Sequence, residues 1–326
     1  MGKQRTYEPK PEFIERMSLL LKDKRDMEEF FETAKTRPKK SIRVNTLKTS
    51  PEELIKILKK RNWKIKQLPN NPEIIQIQSK LEPGELGTTV EHILGYYYSQ
   101  EITSMMPILA LQPKSEDILL DVAAAPGSKT TQAAALMKNQ GTIVANDVSM
   151  PRVSILSANL ERAGVTNTLV TRHDGSALCE RLSKTKLRPN KILADVPCSG
   201  EGNIRVSPRT FLEWNEKIFK RFSKLQKKIA SSALELLQPG GEMIYSTCTH
   251  APEENELVLQ YLLDNFNIEI QEITLPIKSR PGITKWKDKT LSPELKKCHR
   301  IYHHDNDMEG FFVCKIKKLS DKTKEK

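Results

Sequence analysis

Two cysteines each follow an apolar run that is typical of a buried strand. Cys198 stands in Asp195-Val196-Pro197-Cys198-Ser199-Gly200, and Cys248 stands in Tyr245-Ser246-Thr247-Cys248-Thr249-His250. In a doubly wound sheet the carboxyl ends of neighbouring strands border one crevice, so we expect both thiols to reach the same small molecule. A thiolate that adds to carbon 6 of cytosine turns the ring into an enamine whose carbon 5 accepts a methyl group. One cysteine would suit that attack and the other the release of the product.

The cysteine content favours free thiols. Five cysteines, an odd number, are scattered along 326 residues, which predicts a reducing compartment and a cytoplasmic protein. No CxxC pair suggests zinc, and Cys298-His299 with His303 and His304 fits no closed zinc pattern, so we predict no metal site. Taken alone, either Cys198 or Cys248 also fits an ordinary buried thiol. The chemistry therefore depends on the residues around them.

A loop of small residues joins the first predicted strand to its helix. Residues 121–130 read Asp-Val-Ala-Ala-Ala-Pro-Gly-Ser-Lys-Thr, which lets backbone N–H groups and a helix terminus approach a ligand. A P-loop needs Gly-Lys-Ser/Thr in succession, whereas here Ser128 separates Gly127 from Lys129. The dinucleotide fingerprint GxGxxG is also missing. The loop therefore predicts a nucleoside-binding site that uses neither the P-loop motif nor the GxGxxG motif.

Three acidic residues recur where successive predicted strands end: Asp147, Asp174 and Asp195. An acid at the end of the second strand, about 20 residues beyond the glycine loop, is placed to accept both hydroxyls of an adenosine ribose. Asp174 is placed to receive the adenine amino group. A lone Asp at a strand end is more often a turn or cap residue, but three of them together with the loop favour a nucleoside site.

Charge predicts a polyanionic partner. The chain has 53 basic and 41 acidic residues, a net charge of +12 and a pI near 9.3, which suits nucleic acid or anionic lipid. No signal peptide and no apolar run of about 18 residues is present, so we expect no membrane span. The helix expected after the Asp195 strand has an apolar stripe opposite a basic face. We expect this basic face to contact RNA phosphates; the alternative is that it is only a solvated surface. It carries Lys217, Lys220, Arg221, Lys224 and Lys228.

Alternation of apolar runs and helical patterns predicts an α/β fold. We expect a doubly wound, mostly parallel, Rossmann-like sheet with helices on both faces, preceded by a smaller α+β domain. The expected strands are 118–122, 142–146, 168–172, 191–196 and 242–247, with weaker candidates at 268–273 and 311–316. The predicted domains are 1–105, a small domain for RNA docking; 106–318, the catalytic domain; and 319–326, a charged, disordered tail.

The small domain carries one clear local signal. Ser50-Pro51-Glu52-Glu53 offers an N-cap, a proline at the first helical position and a glutamate three residues after the cap, which predicts a helix. Helices are also expected around Phe13 and Phe30, and strands at 41–47 and 74–78. Residues 95–101 are expected to connect this domain to the next.

The motifs resemble, in the same order, those of the Sun-type family of RNA cytosine-5 methyltransferases, over about Arg43 to Phe312. The matching segments are 121–130, Asp147, Asp174-Gly175, 195–200, 245–248 and 252–256. The resemblance implies S-adenosylmethionine as cofactor, attack on cytosine by Cys248 and help with product release from Cys198. It places around the cofactor Ala123, Ala124, Ala125, Pro126, Gly127, Ser128, Lys129, Asp147, Arg152, Asp174 and Asp195. In two further matching blocks, 200–205 and 300–304, Arg205 and His304 are expected to contact RNA.

Departures from the family pattern are small and remove no catalytic group. Ser128 replaces a usual glycine, Val196 an alanine, Thr249 a serine, His303 a proline and Glu309 an aspartate. Asp195 is expected to bind the cytosine amino group or ring nitrogen 3 and to keep a proton there.

Three classes of function were compared. An RNA cytosine-5 methyltransferase, acting as a monomer on tRNA or alternatively on rRNA, accounts for the thiols, the acids, the loop and the charge. A DNA enzyme shares the chemistry but normally attacks with the cysteine of its Pro-Cys motif, whereas Thr247-Cys248 favours RNA. A non-catalytic RNA-binding protein would explain the charge but has no need for two thiols beside a cofactor cleft.

Overall fold

In the amino-terminal part, residues 7–101, helix caps and the spacing of apolar residues determine where the helices and strands form. The protein is described by a computed structural model covering residues 7–323. The elements of this part are α1 (Pro11–Leu20), α2 (Lys24–Ala34), β1 (Ser41–Val44), α3 (Pro51–Lys60), β2 (Ile65–Leu68), β3 (Asn71–Ile77), α4 (Glu85–Thr88), α5 (Val90–Ile93) and β4 (Tyr97–Ser99). The predicted capping box is present at α3: the Ser50 hydroxyl accepts from the Glu53 N–H at 3.2 Å, and the Glu53 carboxylate accepts from the Ser50 N–H at 3.3 Å.

The small sheet is antiparallel, in the order β2-β3-β1-β4. Its fourth strand comes from the stretch that we expected to be only a connector, and pairs Ile42 with Ser99. The buried Tyr97 side chain donates to the Leu86 carbonyl at 2.7 Å, which attaches β4 to the short helices before it. The connector therefore belongs to the fold of the small domain.

The carboxyl-terminal part, residues 102–323, contains the large sheet. Its helices are α6 (Ile102–Leu111), α7 (Ser128–Leu136), α8 (Met150–Ala163), α9 (Gly175–Leu182), α10 (Thr210–Glu213), α11 (Lys217–Leu236), α12 (Glu256–Asn265) and α13 (His303–Asn306). Its strands are β5 (Ile118–Asp121), β6 (Thr142–Asn146), β7 (Thr168–Thr171), β8 (Lys191–Asp195), β9 (Glu242–Thr247), β10 (Phe266–Gln271), β11 (Arg280–Pro281), β12 (Lys285–Trp286), β13 (Lys289–Thr290), β14 (His299–Ile301) and β15 (Phe311–Thr323).

The large sheet confirms the predicted doubly wound topology. Its order is β11-β14-β15-β9-β8-β5-β6-β7, with β10 pairing β15, and β9, β8, β5, β6 and β7 run parallel. Successive strand residues point to opposite faces, so Leu119 packs with Ala133 of α7 while Leu120 packs with Ala230 of α11. Both faces are therefore covered by helices, and the carboxyl ends of the parallel strands remain open at one edge.

The last strand corrects the predicted disordered tail. Residues 319–326 were expected to be disordered, yet β15 continues to Thr323. Its second half pairs with β10, in the register Ile268 to Lys318 and Phe266 to Thr323. Backbone pairing at a sheet edge tolerates charged side chains, which is why composition alone was misleading. Lys324–Lys326, like residues 1–6, lie outside the described residues.

Helices α1 and α2 pack on the carboxyl-terminal part. Phe13 and Phe30 share a buried cluster with Phe211, Trp214 and Tyr302. Within residues 7–323, no helix is both long and apolar enough to cross a membrane.

Candidate active site

The two thiols meet at the open edge of the large sheet. Strands β8 and β9 are parallel neighbours with Asp195 opposite Ser246, so the segments that follow them leave the sheet side by side. The Sγ atoms of Cys198 and Cys248 lie 3.1 Å apart, and both cysteines are free and partly exposed. The Asn203 side-chain amide donates to Cys248 Sγ at 3.2 Å. The arrangement predicted from the two strand ends is therefore present.

The neighbours of the two sulfur atoms favour a thiolate on Cys248. The hydrogen bond with Cys198 lowers the pKa of Cys248, and the Asn203 amide and the Lys129 charge act in the same direction against burial and Asp195. The same hydrogen bond, burial and the nearby Glu254 raise the pKa of Cys198 well above its ordinary value. Cys198 therefore keeps its proton more readily than Cys248, which favours Cys248 as the nucleophile.

A carboxylate and an ammonium group lie beside the thiols. Asp195 Oδ2 is 2.6 Å from Lys129 Nζ, and Asp195 Oδ1 accepts from the Ser246 hydroxyl at 2.7 Å. Lys129 also donates to Ser104 Oγ at 3.0 Å and lies over the Phe311 ring, 5.4 Å from its centroid. These bonds hold the Asp195 carboxylate beside the two thiols, and they direct the Lys129 side chain to the thiol pocket although its backbone belongs to the small-residue loop and the start of α7.

The loop of small residues, 122–127, is tied to the second strand and to helix α8. Its Ala124 N–H donates to the Asn146 carbonyl at 2.7 Å, and Arg152 Nη2 donates to the Ala125 carbonyl at 2.5 Å. Gly127 has a φ of 102°, and a Cβ there would meet Leu156 Cδ1 at 2.9 Å. Glycine is therefore required for both the turn and the close approach of α8.

The predicted nucleoside acids lie at the same edge of the sheet. Asp147 is 2 % exposed, accepts from the Ser149 N–H at 3.0 Å, and has its second oxygen 3.2 Å from Arg152 Nη2. The next side chain, Val148, is 66 % exposed, which leaves an apolar surface beside the carboxylate. Asp174 caps α9 by accepting from the Ser176 side chain and backbone, which lowers its pKa. Asp174 therefore has the helix-capping role that is common for an acid at the end of a strand. Its predicted contact with adenine stays a prediction.

Two of the predicted RNA contacts are buried, and this part of the prediction is wrong. Arg205 is 0 % exposed and donates to the Met308 carbonyl at 2.9 Å and to Asp307 at 2.6 Å. The His304 side chain is 2 % exposed and lies 2.7 Å from Asp26 Oδ1. Both side chains are hydrogen-bonded to internal carboxylate or carbonyl oxygens, so neither is available to bind a phosphate.

The other predicted RNA contacts are exposed along α11. They are Lys217, Lys220, Arg221, Lys224 and Lys228. Two of them, Lys220 and Lys224, line an open groove of about 880 Å³ together with Lys227, Lys289 and Tyr261, which we call the basic groove. Lys227 lies over the Tyr261 ring at 5.0 Å from its centroid, and burial together with the nearby Lys289 lowers its pKa.

Three site residues were not singled out from the sequence. Asn203 lies in a matching family block, but only the fold brings its amide to Cys248. Glu254 accepts from the Ser199 N–H at 3.0 Å and from Gln226 at 2.8 Å, and burial raises its pKa to about 7. Glu309 is buried near the thiol pocket. No spacing rule identifies such residues, because Asn203 ends a one-turn 3-10 helix, Glu201–Asn203, and the other two residues lie outside regular elements.

The histidines near the carboxyl terminus have other partners. Cys298 contacts Cys314, His299 contacts Ser279, and His303 contacts the Phe30 carbonyl. A different group, Asp26, His304 and Asp305, has its oxygens and nitrogen close enough to hold an ion. The guanidinium of Arg280 bonds both carboxylates of that group and already supplies the positive charge.

Fold and site together define a Rossmann-like methyltransferase class, in which a small-residue loop and acidic strand ends face one edge of a parallel sheet. The family described as 16S rRNA methyltransferase RsmB/F matches residues 108–317, and the N-terminal domain of 16S rRNA methyltransferase RsmF matches residues 10–102. The chain belongs to this RsmB/F family, which confirms the resemblance to the Sun-type family.

Curated relatives differ in the RNA that their names give. The chain is 38 % identical over 312 residues to ribosomal RNA small subunit methyltransferase F of Vibrio parahaemolyticus, covering 94 % of this chain but only 62 % of that protein. It is 39 % identical over 294 residues to tRNA (cytosine(49)-C(5))-methyltransferase of Pyrococcus abyssi, covering 90 % of this chain and 92 % of that protein.

Solved structures share the whole architecture. A methyltransferase homologue from Pyrococcus horikoshii superposes with a TM-score of 0.79 at 33 % identity, over 95 % of this chain and 100 % of that one. NSun6 from Pyrococcus horikoshii, solved with SFG, superposes with a TM-score of 0.82 at 25 % identity, over 95 % of this chain and 98 % of that one.

Proposed function

We propose that this protein transfers a methyl group from S-adenosylmethionine to carbon 5 of a cytosine in RNA, through a covalent bond between Cys248 and carbon 6. The observation that carries the proposal is the thiol pair itself, with Sγ atoms 3.1 Å apart beside the Asp195 carboxylate. Two thiols and an acid at one pocket are what attack, protonation and release require. The named RNA methyltransferases among the relatives support the same chemistry.

The residues around the small-residue loop fit S-adenosylmethionine. Asp147 has a buried carboxylate at the end of β6, placed for ribose hydroxyls, and the exposed Val148 beside it offers an apolar surface to adenine. Residues 123–128 offer backbone groups and a helix terminus, while Arg152 fixes the loop to Asp147. NSun6 was solved with SFG, an analogue of this cofactor. When bound, the cofactor supplies an electrophilic methyl group.

The steps follow from the positions of the side chains. An unstacked cytosine enters the pocket, because carbon 6 is inaccessible within a stacked helix. The Cys248 thiolate adds to carbon 6, ring nitrogen 3 takes up a proton from solvent, and Asp195, fixed by Lys129, holds that proton there. After methylation of carbon 5, a water molecule removes the carbon 5 proton; nitrogen 3 then gives up its proton, and the C5–C6 double bond re-forms as the bond from carbon 6 to Cys248 breaks. Cys198, whose Sγ lies 3.1 Å from the leaving sulfur, assists that release by donating a hydrogen bond to the departing thiolate.

Exposed lysines on α11 and the basic groove supply an RNA surface. Lys220 and Lys224 belong to both, and Lys227 and Lys289 add positive charge next to the exposed ring of Tyr261. The same groove is also lined by Glu216, Glu253 and Asp264, so its net charge is only slightly positive. Phosphates suit the cations, and a base stacks on an exposed aromatic ring. The small amino-terminal domain is proposed to add further RNA contacts.

Transfer RNA is the first candidate substrate, and ribosomal RNA is the alternative. The tRNA enzyme from Pyrococcus abyssi is 39 % identical and the rRNA enzyme from Vibrio parahaemolyticus is 38 % identical, so relatives of nearly equal similarity bear both names, and the assay below separates the two substrates.

The test measures transfer of labelled methyl groups from S-adenosylmethionine to tRNA, rRNA and DNA. We expect label in RNA, recovered as 5-methylcytidine after nuclease digestion, and none in DNA. The Cys248→Ala variant is the control and should transfer nothing. Label in DNA alone, or in no nucleic acid under conditions where the folded protein binds the cofactor, would contradict the proposal.

A further inference from the structure

Glu309 has a buried carboxyl group with no partner. The residue is 3 % exposed, and neither carboxyl oxygen has a hydrogen-bond partner among residues 7–323. An unpaired buried carboxyl is costly, so one that is retained calls for an explanation such as a catalytic or ligand-binding role. The mechanism above leaves this side chain without a role.

The backbone holds Glu309 against the thiol pocket. The Gly310 N–H donates to the Gly202 carbonyl at 2.9 Å, and the Gly202 N–H donates to the Cys248 carbonyl at 2.9 Å. A Cβ on Gly202 would lie 2.2 Å from the Gly310 carbonyl oxygen, so only glycine permits this approach. Two hydrogen bonds therefore link the residue next to Glu309 with the nucleophile. The Glu309 N–H in turn donates to the Glu101 carboxylate at 3.3 Å.

The surroundings keep Glu309 protonated. Burial, then the charges of Glu101 and Cys248, raise its pKa to about 8, against the attraction of Arg205 and a weak approach of the Val206 N–H. At neutral pH the group is a carboxylic acid with an O–H to donate.

Cytosine offers one strong acceptor that the mechanism has not used. Asp195 takes the edge with ring nitrogen 3 and the amino group, which leaves the carbonyl oxygen O2. Addition of a thiolate at carbon 6 moves electron density toward O2, so a donor placed there binds the adduct more tightly than the substrate. We propose that the Glu309 carboxyl donates a hydrogen bond to O2 of the cytosine in the thiol pocket. This inference rests on the proposed function.

Two variants separate the donor from a merely structural group. Glu309→Gln keeps an N–H donor and should retain methyl transfer within a few-fold at pH 7, because its amide does not ionise. Glu309→Met removes the donor at similar volume and should lose about 100-fold in kcat/KM. Since the Met variant no longer buries an unpaired carboxyl, its thermal midpoint should equal or exceed that of the natural protein.

The pH profile gives the second readout. Only the protonated form donates, so wild-type kcat/KM should fall as the pH rises through about 8. In Glu309→Gln, kcat/KM should not show the fall near pH 8 that is caused by ionisation of Glu309. The control Glu116→Gln, at an exposed site, should show the same fall as the wild type. Full activity of Glu309→Met, or an unchanged alkaline limb in Glu309→Gln, would overturn the inference. An inactive wild-type protein would instead refute the proposed function itself.

Discussion

At the residue scale, the two thiols differ in pKa because different hydrogen-bond donors and charges lie next to each sulfur atom. Asn203 donates to Cys248 and not to Cys198, and Lys129 lowers the pKa of Cys248 further. Glu254 instead adds to the rise in the pKa of Cys198. The asymmetry comes from residues outside the two cysteine motifs, and it is the basis on which we propose different roles for the two cysteines.

Removal of the Asn203 amide tests this asymmetry. Asn203→Ala should raise the pKa of Cys248, so the acidic limb of the pH–rate profile should move to higher pH. The measurement is kcat/KM for methyl transfer between pH 6 and pH 9. Asn215→Ala, an exposed asparagine, is the control. An acidic limb that stays in place would show that Asn203 does not set the thiolate fraction.

Asp147 provides a test of the cofactor site. Asp147→Ala removes a charged acceptor, so the KM for S-adenosylmethionine should rise about 10- to 100-fold through loss of one charge-assisted hydrogen bond. The control is Asp288→Ala, at an exposed position with no predicted cofactor contact, which should leave the cofactor KM unchanged. An unchanged cofactor KM in Asp147→Ala would remove this residue from the proposed site.

At the element scale, one charged cluster joins α2 to the last third of the chain. Arg280 donates to Asp26 on α2 and to Asp305 on α13, and His304 also contacts Asp26. The hydrogen bond from Arg280 holds the pKa of Asp26 well below its usual range. The cluster fixes α2 against the segment that leads to Glu309.

Asp26→Asn should destabilise the fold in a pH-dependent way. The lowered pKa means that Asp26 stabilises the folded state fully above its unfolded pKa of about 3.9, and loses that contribution as the pH falls toward the folded value. The free energy of unfolding should drop by about 2 kcal/mol at pH 7, and the gap from wild type should narrow below about pH 4. Denaturant unfolding at both pH values measures this.

The matched control is Glu29→Gln, in an exposed pair with Arg25 on the same helix. Surface pairs of this kind contribute at most about 1 kcal/mol. Equal losses in Asp26→Asn and Glu29→Gln would show that the cluster does not fix α2.

Sequence patterns predicted the strands better than the loops. The parallel strands follow apolar runs that end in an acid or a turn, so strands such as β6 and β9 begin and end where the pattern predicts. Arg205 was expected at the surface because arginine is seldom buried without partners, and its partners come from residues about 100 positions away. Asn203 lies in a one-turn 3-10 helix and Glu309 in a loop, and in neither does a periodicity show what a side chain faces.

At the scale of the whole molecule, net charge becomes a prediction about binding. The net charge is +12, but only charges near the substrate contribute to the salt dependence of RNA affinity. Exposed lysines occur both on α11 and at the opposite edge of the sheet, for example Lys184 and Lys186. Lys220 with Lys224 and Lys184 with Lys186 form two pairs of equal charge at different positions.

Salt dependence distinguishes these positions. Replacing Lys220 and Lys224 with Ala should lower the slope of log affinity against log salt by about 1.4, that is, about 0.7 for each phosphate contact to a single strand. Replacing Lys184 and Lys186 should leave the slope unchanged. The measurement is RNA affinity over a series of salt concentrations. Equal changes in both double variants would show that the effect is general charge and not a docking surface.

The central claim is that Cys248 attacks cytosine and Cys198 helps to release the product. Incubation with RNA and S-adenosylmethionine, followed by a denaturing gel, tests it most directly. Cys198→Ala should accumulate a protein–RNA adduct that survives denaturation, whereas Cys248→Ala should form none. A stable adduct in Cys248→Ala, or normal turnover without an adduct in Cys198→Ala, would contradict the assignment of the two sulfur atoms.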